Sequence, residues 1–519
     1  MYLFNNRLSL RQGDVPSMSW FAYGIDPLIH YLEKRLNGIL IHTLPLHGPS
    51  QAGEARLLQP LEQRYKVVGY ADDLKPAVTS MQEFLLVDQS SALFERSSGC
   101  KLHRDPASGK CKFLPLTQDN VPCAYMVLSD HLDMLGVELK ATHTKTRKVN
   151  GDALQTRVKN TIGPWQSGRF MPLTQRPWSV NSFAVSKILY KCNCLDLRVV
   201  DTTNITSKVK AWLLADQLEK PEDMINYRPT SHGGLGLHHV KYKALAMLVH
   251  SFLETSVNPK YLHNLYHTSL FRYYVLQHQD LPDPGLPPYY SLEFFSQIRS
   301  VHENTPLNVA TMSCSQWYTL LLEDNITMEQ HPVSDARQLK PSRTELASPD
   351  NDWDRSWHLA RLKGLGPEMT SFLWKVLHKL LPSQDRLSRI LPNKTPLCQL
   401  CQDQVVEDLP HAFFQCRFNG EAGTLLLNCL SAHMPRPSPN QVLTLGFDTS
   451  TGEELPLVWF TGFFLQNIWS ARIQKKQPQL FSIRADLEAR ASILRETRHR
   501  DAAIVIGEMS DLCFNGIIQ

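Results

Sequence analysis

The chain carries little net charge for its length. Its 519 residues include 54 basic and 50 acidic side chains, which gives a net charge of +4. This balance excludes strong attraction to a polyanion through overall charge, so any phosphate contact must come from local groups. Two local groups of basic residues occur: Lys140, Lys145, Arg147 and Lys148, and then Arg472, Lys475 and Lys476. Such groups can contact phosphates, although most are solvated faces.

The sequence also has no long apolar run and no leader-like beginning. Its most apolar stretch, Leu457–Trp469, covers 13 residues and contains Gln466, so it is too short and too polar to cross a bilayer. Residues 1–10 include Asn5 and Arg7 and do not resemble a signal peptide. We therefore expect an intracellular protein, nuclear or cytoplasmic, that is not secreted.

The cysteines do not predict a disulfide framework, because the 11 of them are odd in number and scattered. Outside one cluster, Cys192, Cys194, Cys314, Cys429 and Cys513 are expected to be buried apolar side chains. An apolar fraction of 42% and a charged fraction of 20% are typical of a globular protein. The length allows about two to four domains.

The stretch Val67–Leu74 predicts a hairpin that presents carboxylates. An apolar run leads through Tyr70 and Ala71 to two adjacent acids, Asp72 and Asp73, and then returns to an apolar residue. A short buried strand that ends in a tight Asp-containing turn fits this order. Asp72 at the tip could hold a divalent metal, as two-metal nucleotidyl transfer requires. The alternative is an ordinary Asx turn on a surface hairpin.

A second motif, Arg-Gln-Gly-Asp at residues 11–14, precedes this hairpin in the chain. Apolar residues at helix-compatible spacing predict a helix from Ser17 to Leu36 that Gly38 closes. The segments Ile39–Ile41 and Arg64–Tyr70 predict strands. The first motif is therefore expected in a loop that leads into a long helix.

Arg-Gln-Gly-Asp before a helix, followed by Tyr-Ala-Asp-Asp on a hairpin, resembles the palm of reverse transcriptases. The resemblance implies that Asp72 is the catalytic metal ligand and that Asp73 is its supporting catalytic neighbour. It also implies contacts with the nucleotide, the template or the primer end for six residues: Arg11, Gln12, Gly13, Tyr70, Ala71 and Lys101.

Further segments are similar to parts of the same family. Ser98–His103 resembles the next palm motif, with His103 where the family has Asn, and Leu135–Val137 resembles the turn of the primer-grip hairpin. Trp165–Lys187 resembles the thumb of non-LTR (LINE-type) retrotransposon polymerases, and Gly233–Leu237 recurs downstream of that thumb. A glycine-rich phosphate cradle is the alternative for the last segment. No strand-to-helix dinucleotide context or following Lys-Ser supports that alternative.

Four potential metal ligands follow at the spacing Cys-x2-Cys-x9-His-x4-Cys: Cys398, Cys401, His411 and Cys416. Three thiolates and one neutral imidazole complete a tetrahedron and leave no open position, so this spacing predicts a structural zinc site. The alternative is a set of buried cysteines in a helical domain. LINE-type polymerases also carry a Cys-Cys-His-Cys knuckle after the thumb, where it is associated with handling nucleic acid.

The predicted fold is α+β. It begins with a truncated reverse-transcriptase palm made of an antiparallel sheet and helices, and continues with a mainly helical thumb and connector, a small zinc module and a helical tail. The predicted boundaries are 1–148 for the partial palm, 149–277 for thumb and connector, 278–352 for a Pro-rich and polar linker, 353–435 for the helical segment with the zinc knuckle, and 436–519 for the tail.

The resemblance implies RNA-directed DNA polymerase activity in a non-LTR retrotransposon, with catalytic Mg²⁺ at Asp72 and structural Zn²⁺. The implied partners are an RNA template, a DNA primer or target and deoxynucleoside triphosphates, with no membrane partner. The family's first catalytic aspartate precedes the Arg-Gln-Gly motif, and residues 1–10 contain no acid. We therefore expect residues 1–519 to be a C-terminal part that cannot polymerise alone. The alternatives are a non-catalytic nucleic-acid-binding protein derived from a retroelement, or a remnant that does not fold stably.

Overall fold

The computed structural model divides the chain into two compact units. The first comprises residues 1–153, 189–198 and 244–321, and the second comprises residues 154–188, 199–243 and 322–519. The structure describes residues 17–42, 46–47, 57–58, 62–70, 73–98, 112–113, 127–128, 130–134, 136–140, 142–167, 171–215, 223–257, 267, 270–276, 292–304, 311–325, 352–401, 403–446, 454–496 and 500–514. The described residues are mainly helical, with small two-stranded sheets. The boundaries of the five predicted regions stay a prediction.

The helices and strands are numbered in chain order. The α-helices are α1 (Ser17–Arg35), α2 (Met81–Ser98), α3 (His143–Ile162), α4 (Arg176–Val180), α5 (Ser186–Cys192), α6 (Val199–Leu213), α7 (Asp223–Tyr227), α8 (Val240–Val257), α9 (Leu292–Asn304), α10 (Cys314–Asn325), α11 (Trp353–Leu359), α12 (Pro367–Leu377), α13 (Gln384–Ile390), α14 (Gly420–Leu430), α15 (Pro439–Thr444), α16 (Glu454–Ile473), α17 (Leu480–Glu496) and α18 (Arg500–Phe514). The strands are β1 (Ile39–His42), β2 (Leu46–His47), β3 (Leu57–Leu58), β4 (Glu62–Tyr65), β5 (Val67–Tyr70), β6 (Asp73–Pro76), β7 (Lys112–Phe113), β8 (Val127–Leu128), β9 (His131–Met134) and β10 (Val137–Lys140).

The described strands pair two by two instead of forming one broad sheet. Four pairs are antiparallel, namely β1 with β4, β2 with β3, β5 with β6 and β9 with β10, and β7 pairs with β8 in parallel. β4 and β5 are separated only by Lys66, yet each pairs with a different strand. The α+β composition that the sequence predicts is present, but the described strands do not form the single antiparallel sheet that we expected of a palm.

A helical layer supports the β5–β6 hairpin in the first unit. The buried core of this layer comes from α1 and α2 and consists of Leu28, Leu32, Leu36 and Val87. The three leucines follow one another at intervals of four residues, which places them on one helical face. Val67 of β5 and Leu74 of β6 pack against this cluster. The apolar residues that flank the Asp-Asp pair therefore anchor the hairpin to the two helices.

Gly38 occupies the tight connection between α1 and β1. Its φ of +69° lies in the left-handed region, and a Cβ atom there would lie 2.3 Å from the Tyr65 carbonyl oxygen. Only glycine combines this backbone angle with such a close approach. The predicted helix end is confirmed, and the glycine allows Ile39 to pair directly with Tyr65 in β4.

The predicted primer-grip turn lies in a hairpin formed by β9 and β10. Gly136 has a φ of +78°, and Met134 pairs with Val137 across the turn. The Asn150 side chain on α3 donates to the Glu138 carbonyl oxygen at 2.7 Å and accepts from the Glu138 amide at 3.1 Å. This two-way bond holds the hairpin against the helix. A hairpin is confirmed here, while its role stays a prediction.

The Gly233–Leu237 segment is a packed structural loop in the second unit. The Gly233 carbonyl oxygen accepts hydrogen bonds from Trp374 Nε1 at 2.8 Å and from His378 Nε2 at 2.7 Å. A Cβ atom on Gly233 would lie 2.4 Å from the Trp357 ring. The loop is thus filled by side chains of α11 and α12, which leaves no room for a phosphate against Gly233. The packing therefore speaks against the phosphate-cradle alternative at Gly233.

His378 follows α12. In the sequence it lies with Lys375 and Lys379 between the apolar positions of an amphipathic helix, which predicts a solvated side chain. That prediction is wrong, because the ring stacks on Trp357 at a centroid distance of 4.7 Å and contacts Trp374. Burial lowers the pKa of His378 to about 3, so the ring stays neutral at physiological pH. Its hydrogen bond to the Gly233 carbonyl therefore joins the loop to α12 without a buried charge.

Helix α16 is the apolar centre of the second unit. Its buried residues include most of the Leu457–Trp469 stretch, and it packs against α12, α14 and α18. Gly462 allows the close approach, since a Cβ atom there would lie 2.6 Å from the Met369 sulfur. Nowhere in the described part of the chain does a helix combine the length and apolarity that a membrane crossing needs. The stretch is therefore apolar because other helices cover it.

Candidate metal centre

Four side chains with metal-binding atoms meet in the second unit. Their ligand atoms all lie within 4.8 Å of one another, and all four residues are buried: Cys398, Cys401, His411 and Cys416. These are the four residues that the sequence spacing predicts. Among the described residues, this is the group of histidine, cysteine and acidic side chains with the geometry to hold a metal ion.

The first two ligands lie in a tight turn between two short extended segments. Leu397 forms an isolated antiparallel bridge with Val406, and the Cys398 amide donates to the Val405 carbonyl oxygen at 2.8 Å. Inside this turn, the Cys401 amide points back to the Cys398 sulfur at 3.5 Å. The Cys-x2-Cys spacing thus brings both thiols to the same side of one small loop.

The other two ligands lie at the two ends of one π-helical turn, His411–Gln415. His411 begins the turn, and its amide donates to the Asp408 carboxylate at 2.8 Å. Cys416 follows the turn directly and donates its amide to the His411 carbonyl oxygen at 2.8 Å. A π-helical turn has a wider hydrogen-bonded ring than an α-helical turn. Both side chains face the Cys398 turn, since their ligand atoms lie within 4.8 Å of those of Cys398 and Cys401.

The distances fit a tetrahedral zinc centre. The Cys398 and Cys416 sulfur atoms are 3.8 Å apart, and the Cys401 sulfur is 3.4 Å from His411 Nε2. Zn–S bonds of about 2.3 Å and Zn–N bonds of about 2.0 Å give tetrahedral edges of roughly 3.8 Å and 3.5 Å. With four protein ligands the ion has no open position, so the centre would contribute to folding and not to hydrolysis.

The pKa shifts favour metal binding at Cys398 and His411 and oppose it at Cys401. Burial raises the pKa of Cys398, but the amides of Cys401 and Leu400 and the guanidinium of Arg472 outweigh it and lower the pKa overall. Burial raises the pKa of Cys401 to about 11. Burial also lowers the pKa of His411, which favours the neutral imidazole that metal ligation needs. A metal must therefore displace a proton from Cys401, at the least, when it binds.

Two charged residues that the sequence did not single out as ligands surround the thiols. Arg472 and Glu407 form a buried ion pair, each with a side chain only 5% exposed. Arg472 was predicted to lie in a basic surface group with Lys475 and Lys476, and that prediction is wrong for Arg472 alone. It follows Ile468 by four positions on α16, so it lies on the buried face of that helix. This helical spacing is the signal that could have separated it from the two exposed lysines.

The residues proposed from the palm resemblance are described only in part. Strands β5 and β6 pair antiparallel with Tyr70 opposite Asp73, as a hairpin requires. Ala71 and Asp72 connect these strands along the chain and lie outside the described residues. Arg11, Gln12, Gly13 and Lys101 also lie outside them. The hairpin strands are confirmed, whereas the nucleotide, template and magnesium contacts stay predictions.

Exposed aromatic side chains mark the segment that resembles a thumb. Trp178 on α4 is 67% exposed and Phe183, in the following π-helical turn, is 50% exposed. Their rings meet edge to face at a centroid distance of 6.1 Å. Lys187 lies one helical turn after Phe183 and donates to the Thr161 hydroxyl at 3.1 Å. Trp178 and Phe183 thus form a small exposed aromatic pair with a cation one helical turn further along the chain.

Among the other cysteines, Cys429 is buried as expected but forms a disulfide bond. The scattered spacing of the cysteines gave no sign of this bond, because a disulfide depends on how distant segments pack. Cys192 is buried, as the sequence predicts for an apolar cysteine, but Cys194 is exposed and Cys314 is only partly buried, so the prediction is wrong for these two.

Comparison with known proteins bears on the zinc centre directly. Residues 342–422 match the family model described as zinc-binding in reverse transcriptase. This segment is similar to a reverse-transcriptase zinc-binding region. The match includes all four ligands and supports a protein related to reverse transcriptases, while it covers only a minor part of the chain. No curated protein matches the chain.

Proposed function

We propose that this chain acts in RNA-directed DNA synthesis by a non-LTR, LINE-type retroelement, as a polymerase segment that binds an RNA template with a DNA primer. The observation that carries the proposal is the four-ligand metal centre inside the segment similar to the zinc-binding region of reverse transcriptases. In this proposal the zinc is structural. It fixes the fold of a helical module that lies against nucleic acid.

In this proposal the residues for nucleotidyl transfer lie at the β5–β6 hairpin. Asp72 would hold a Mg²⁺ ion, with Asp73 beside it, and a bound ion would supply activation of the primer hydroxyl and stabilisation of the leaving pyrophosphate. Arg11, Gln12 and Lys101 contact the incoming nucleotide and the template. The packing of Val67 and Leu74 against α1 and α2 supports this, because it gives the hairpin a rigid base.

The exposed rings of Trp178 and Phe183 support nucleic-acid binding by the second unit. Base stacking on aromatic side chains contributes roughly 1–3 kcal/mol per base and does not depend on sequence. Lys187 adds a positive charge beside the rings. With a net charge of only +4, binding would depend on such local groups and would weaken as salt increases.

A binding assay with a chain-terminated primer tests the proposal without requiring turnover. The full chain is mixed with a labelled RNA template–DNA primer, Mg²⁺ and either the matched or a mismatched deoxynucleoside triphosphate. We expect salt-sensitive binding that the matched nucleotide strengthens, and we expect Asp72→Asn to remove only the nucleotide effect. Asp26→Asn, which makes the same charge change at an exposed position of α1, is the matched control.

The outcomes separate two functions. A nucleotide effect that Asp72→Asn abolishes supports the polymerase proposal. Salt-sensitive binding with no nucleotide effect replaces it with a non-catalytic nucleic-acid-binding protein. The closed metal centre is compatible with that second function too, since a structural zinc serves binding as well as it serves catalysis. Absence of any binding overturns both.

A further inference from the structure

The guanidinium of Arg472 lies against the metal ligands, although α16 is outside the matched segment 342–422. Its Nη2 atom donates to the Cys398 sulfur at 3.3 Å, and its Nη1 atom lies 3.7 Å from the Cys416 sulfur. Its Nε atom donates to a Glu407 carboxylate oxygen at 3.2 Å, and Nη2 forms an ion pair with the other oxygen. One planar side chain thus contacts two thiols and one carboxylate.

Glu407 holds this guanidinium in place from the opposite side. Its carboxylate also accepts the Gln384 amide at 3.2 Å, at the beginning of α13. Its own amide donates to the Pro396 carbonyl oxygen at 2.9 Å, close to the Cys398 turn. Glu407 is therefore held by hydrogen bonds through both its side chain and its backbone, and it in turn sets the orientation of the Arg472 guanidinium.

The charge of a loaded centre explains why an arginine is useful here. Zn²⁺ with three thiolates and a neutral histidine carries a net charge of −1, the buried Glu407 carboxylate adds another −1, and buried charge without an opposite charge nearby is costly. N–H groups that donate to the ligand atoms also orient them and stabilise the thiolate form. We propose that Arg472 is a positioning residue of the zinc centre, and that zinc binding fixes the C-terminal end of α16 against the Cys398 turn.

A simple structural ion pair would behave differently. If Arg472 served only Glu407, replacing it would leave the affinity of the four ligands for zinc unchanged. Because two of its N–H groups also point at ligand sulfurs, movement of those sulfurs on loss of the metal would leave the guanidinium only its contact with the carboxylate. By linkage, the free energy by which zinc binding stabilises the docked end of α16 equals the free energy by which that docked end strengthens zinc binding. This inference concerns the metal centre and holds whether or not the chain binds nucleic acid.

Competition with a chromophoric zinc chelator measures the first consequence on the full chain. We expect Arg472→Gln to weaken zinc binding about 10- to 100-fold, the usual effect of removing a partner of a metal ligand. Arg472→Lys keeps the positive charge but loses the planar guanidinium with its several N–H donors. Its zinc affinity should therefore fall between those of Arg472→Gln and the wild type. Lys476→Gln is the matched control, since it removes one positive charge from an exposed position three residues after α16 ends and should change the affinity less than about twofold. An Arg472→Gln affinity within twofold of the wild type overturns the proposal.

Hydrogen exchange on the wild-type chain measures the second consequence and does not depend on any variant folding. We expect chelation of zinc to remove protection from residues 396–416 and, together with it, from the last turn of α16. The first half of α16, which packs against α12 through Gly462, is the internal reference. If residues 396–416 lose protection while the last turn of α16 keeps it, the coupling does not exist and the proposal is wrong.

Discussion

The metal centre and the Asp72 hairpin differ in how far apart their parts lie along the chain. All four ligands of the centre fall between residues 398 and 416, and one loop and one π-helical turn bring them together. The hairpin supplies one carboxylate pair, and its proposed partners Arg11 and Lys101 lie at distant positions. A site made of neighbouring residues can be predicted from spacing alone, whereas a site assembled from distant segments cannot.

Removal of one metal ligand should have the largest effect. Cys416→Ser leaves three ligands for a centre whose binding energy is folding energy, so we expect the second unit to lose several kcal/mol of stability. Urea unfolding with and without chelator measures this, and the variant should resemble chelated wild type. Cys194→Ser, at an exposed cysteine, is the matched control and should retain the chelator response. Equal stability of Cys416→Ser and wild type would show that the thiols are merely buried cysteines.

A pair of glycine substitutions compares the two units directly. Gly233 and Gly136 share a φ of +78°, but a Cβ atom on Gly233 would lie 2.4 Å from the Trp357 ring, whereas a Cβ atom on Gly136 would meet no described residue within 4 Å apart from its chain neighbours. Gly136→Ala should therefore cost about 1 kcal/mol through backbone strain alone. Gly233→Ala should cost about 2–4 kcal/mol, because overpacking adds to the strain. Thermal unfolding measures both, and equal losses would contradict the packed-loop interpretation.

The elements that could be predicted depend on local patterns. The helix before Gly38, the strands of the hairpin and the metal-binding spacing all follow from residues close together in sequence. Helical spacing could have placed Arg472 on the buried face of α16, but its partners Cys398 and Glu407 come from a segment tens of residues away. The contacts of His378 with Trp357 and Gly233 likewise depend on tertiary packing. The disulfide of Cys429 was missed for the same reason.

The smallest expected effect concerns Glu83, which joins α1 to α2 beneath the hairpin. Its carboxylate accepts the amides of Asn37 and Thr79 and the Thr79 hydroxyl. Burial raises the pKa of Glu83, but these hydrogen bonds outweigh it and lower the pKa overall. Glu83→Gln should cost about 1 kcal/mol at neutral pH. Chemical unfolding at several pH values measures this cost, with Glu33→Gln at an exposed position of α1 as the control.

The pH dependence of that effect has a definite sign. A carboxylate whose folded-state pKa is lowered stabilises the fold above its unfolded pKa of about 4.3, and this contribution disappears as the pH falls through the folded value. The difference between wild type and Glu83→Gln should therefore shrink in acid. A difference that grows in acid would contradict the hydrogen-bonding role of Glu83.

The central claim is that Cys398, Cys401, His411 and Cys416 hold one structural zinc ion, and metal content tests it most directly. The full chain is purified from zinc-supplemented cells, and its zinc is measured by elemental analysis beside Cys416→Ser and Cys194→Ser. We predict about one zinc ion per chain for the wild type and the Cys194→Ser variant, and substantially less for Cys416→Ser. Zinc-free wild type, or full occupancy in Cys416→Ser, would contradict the account.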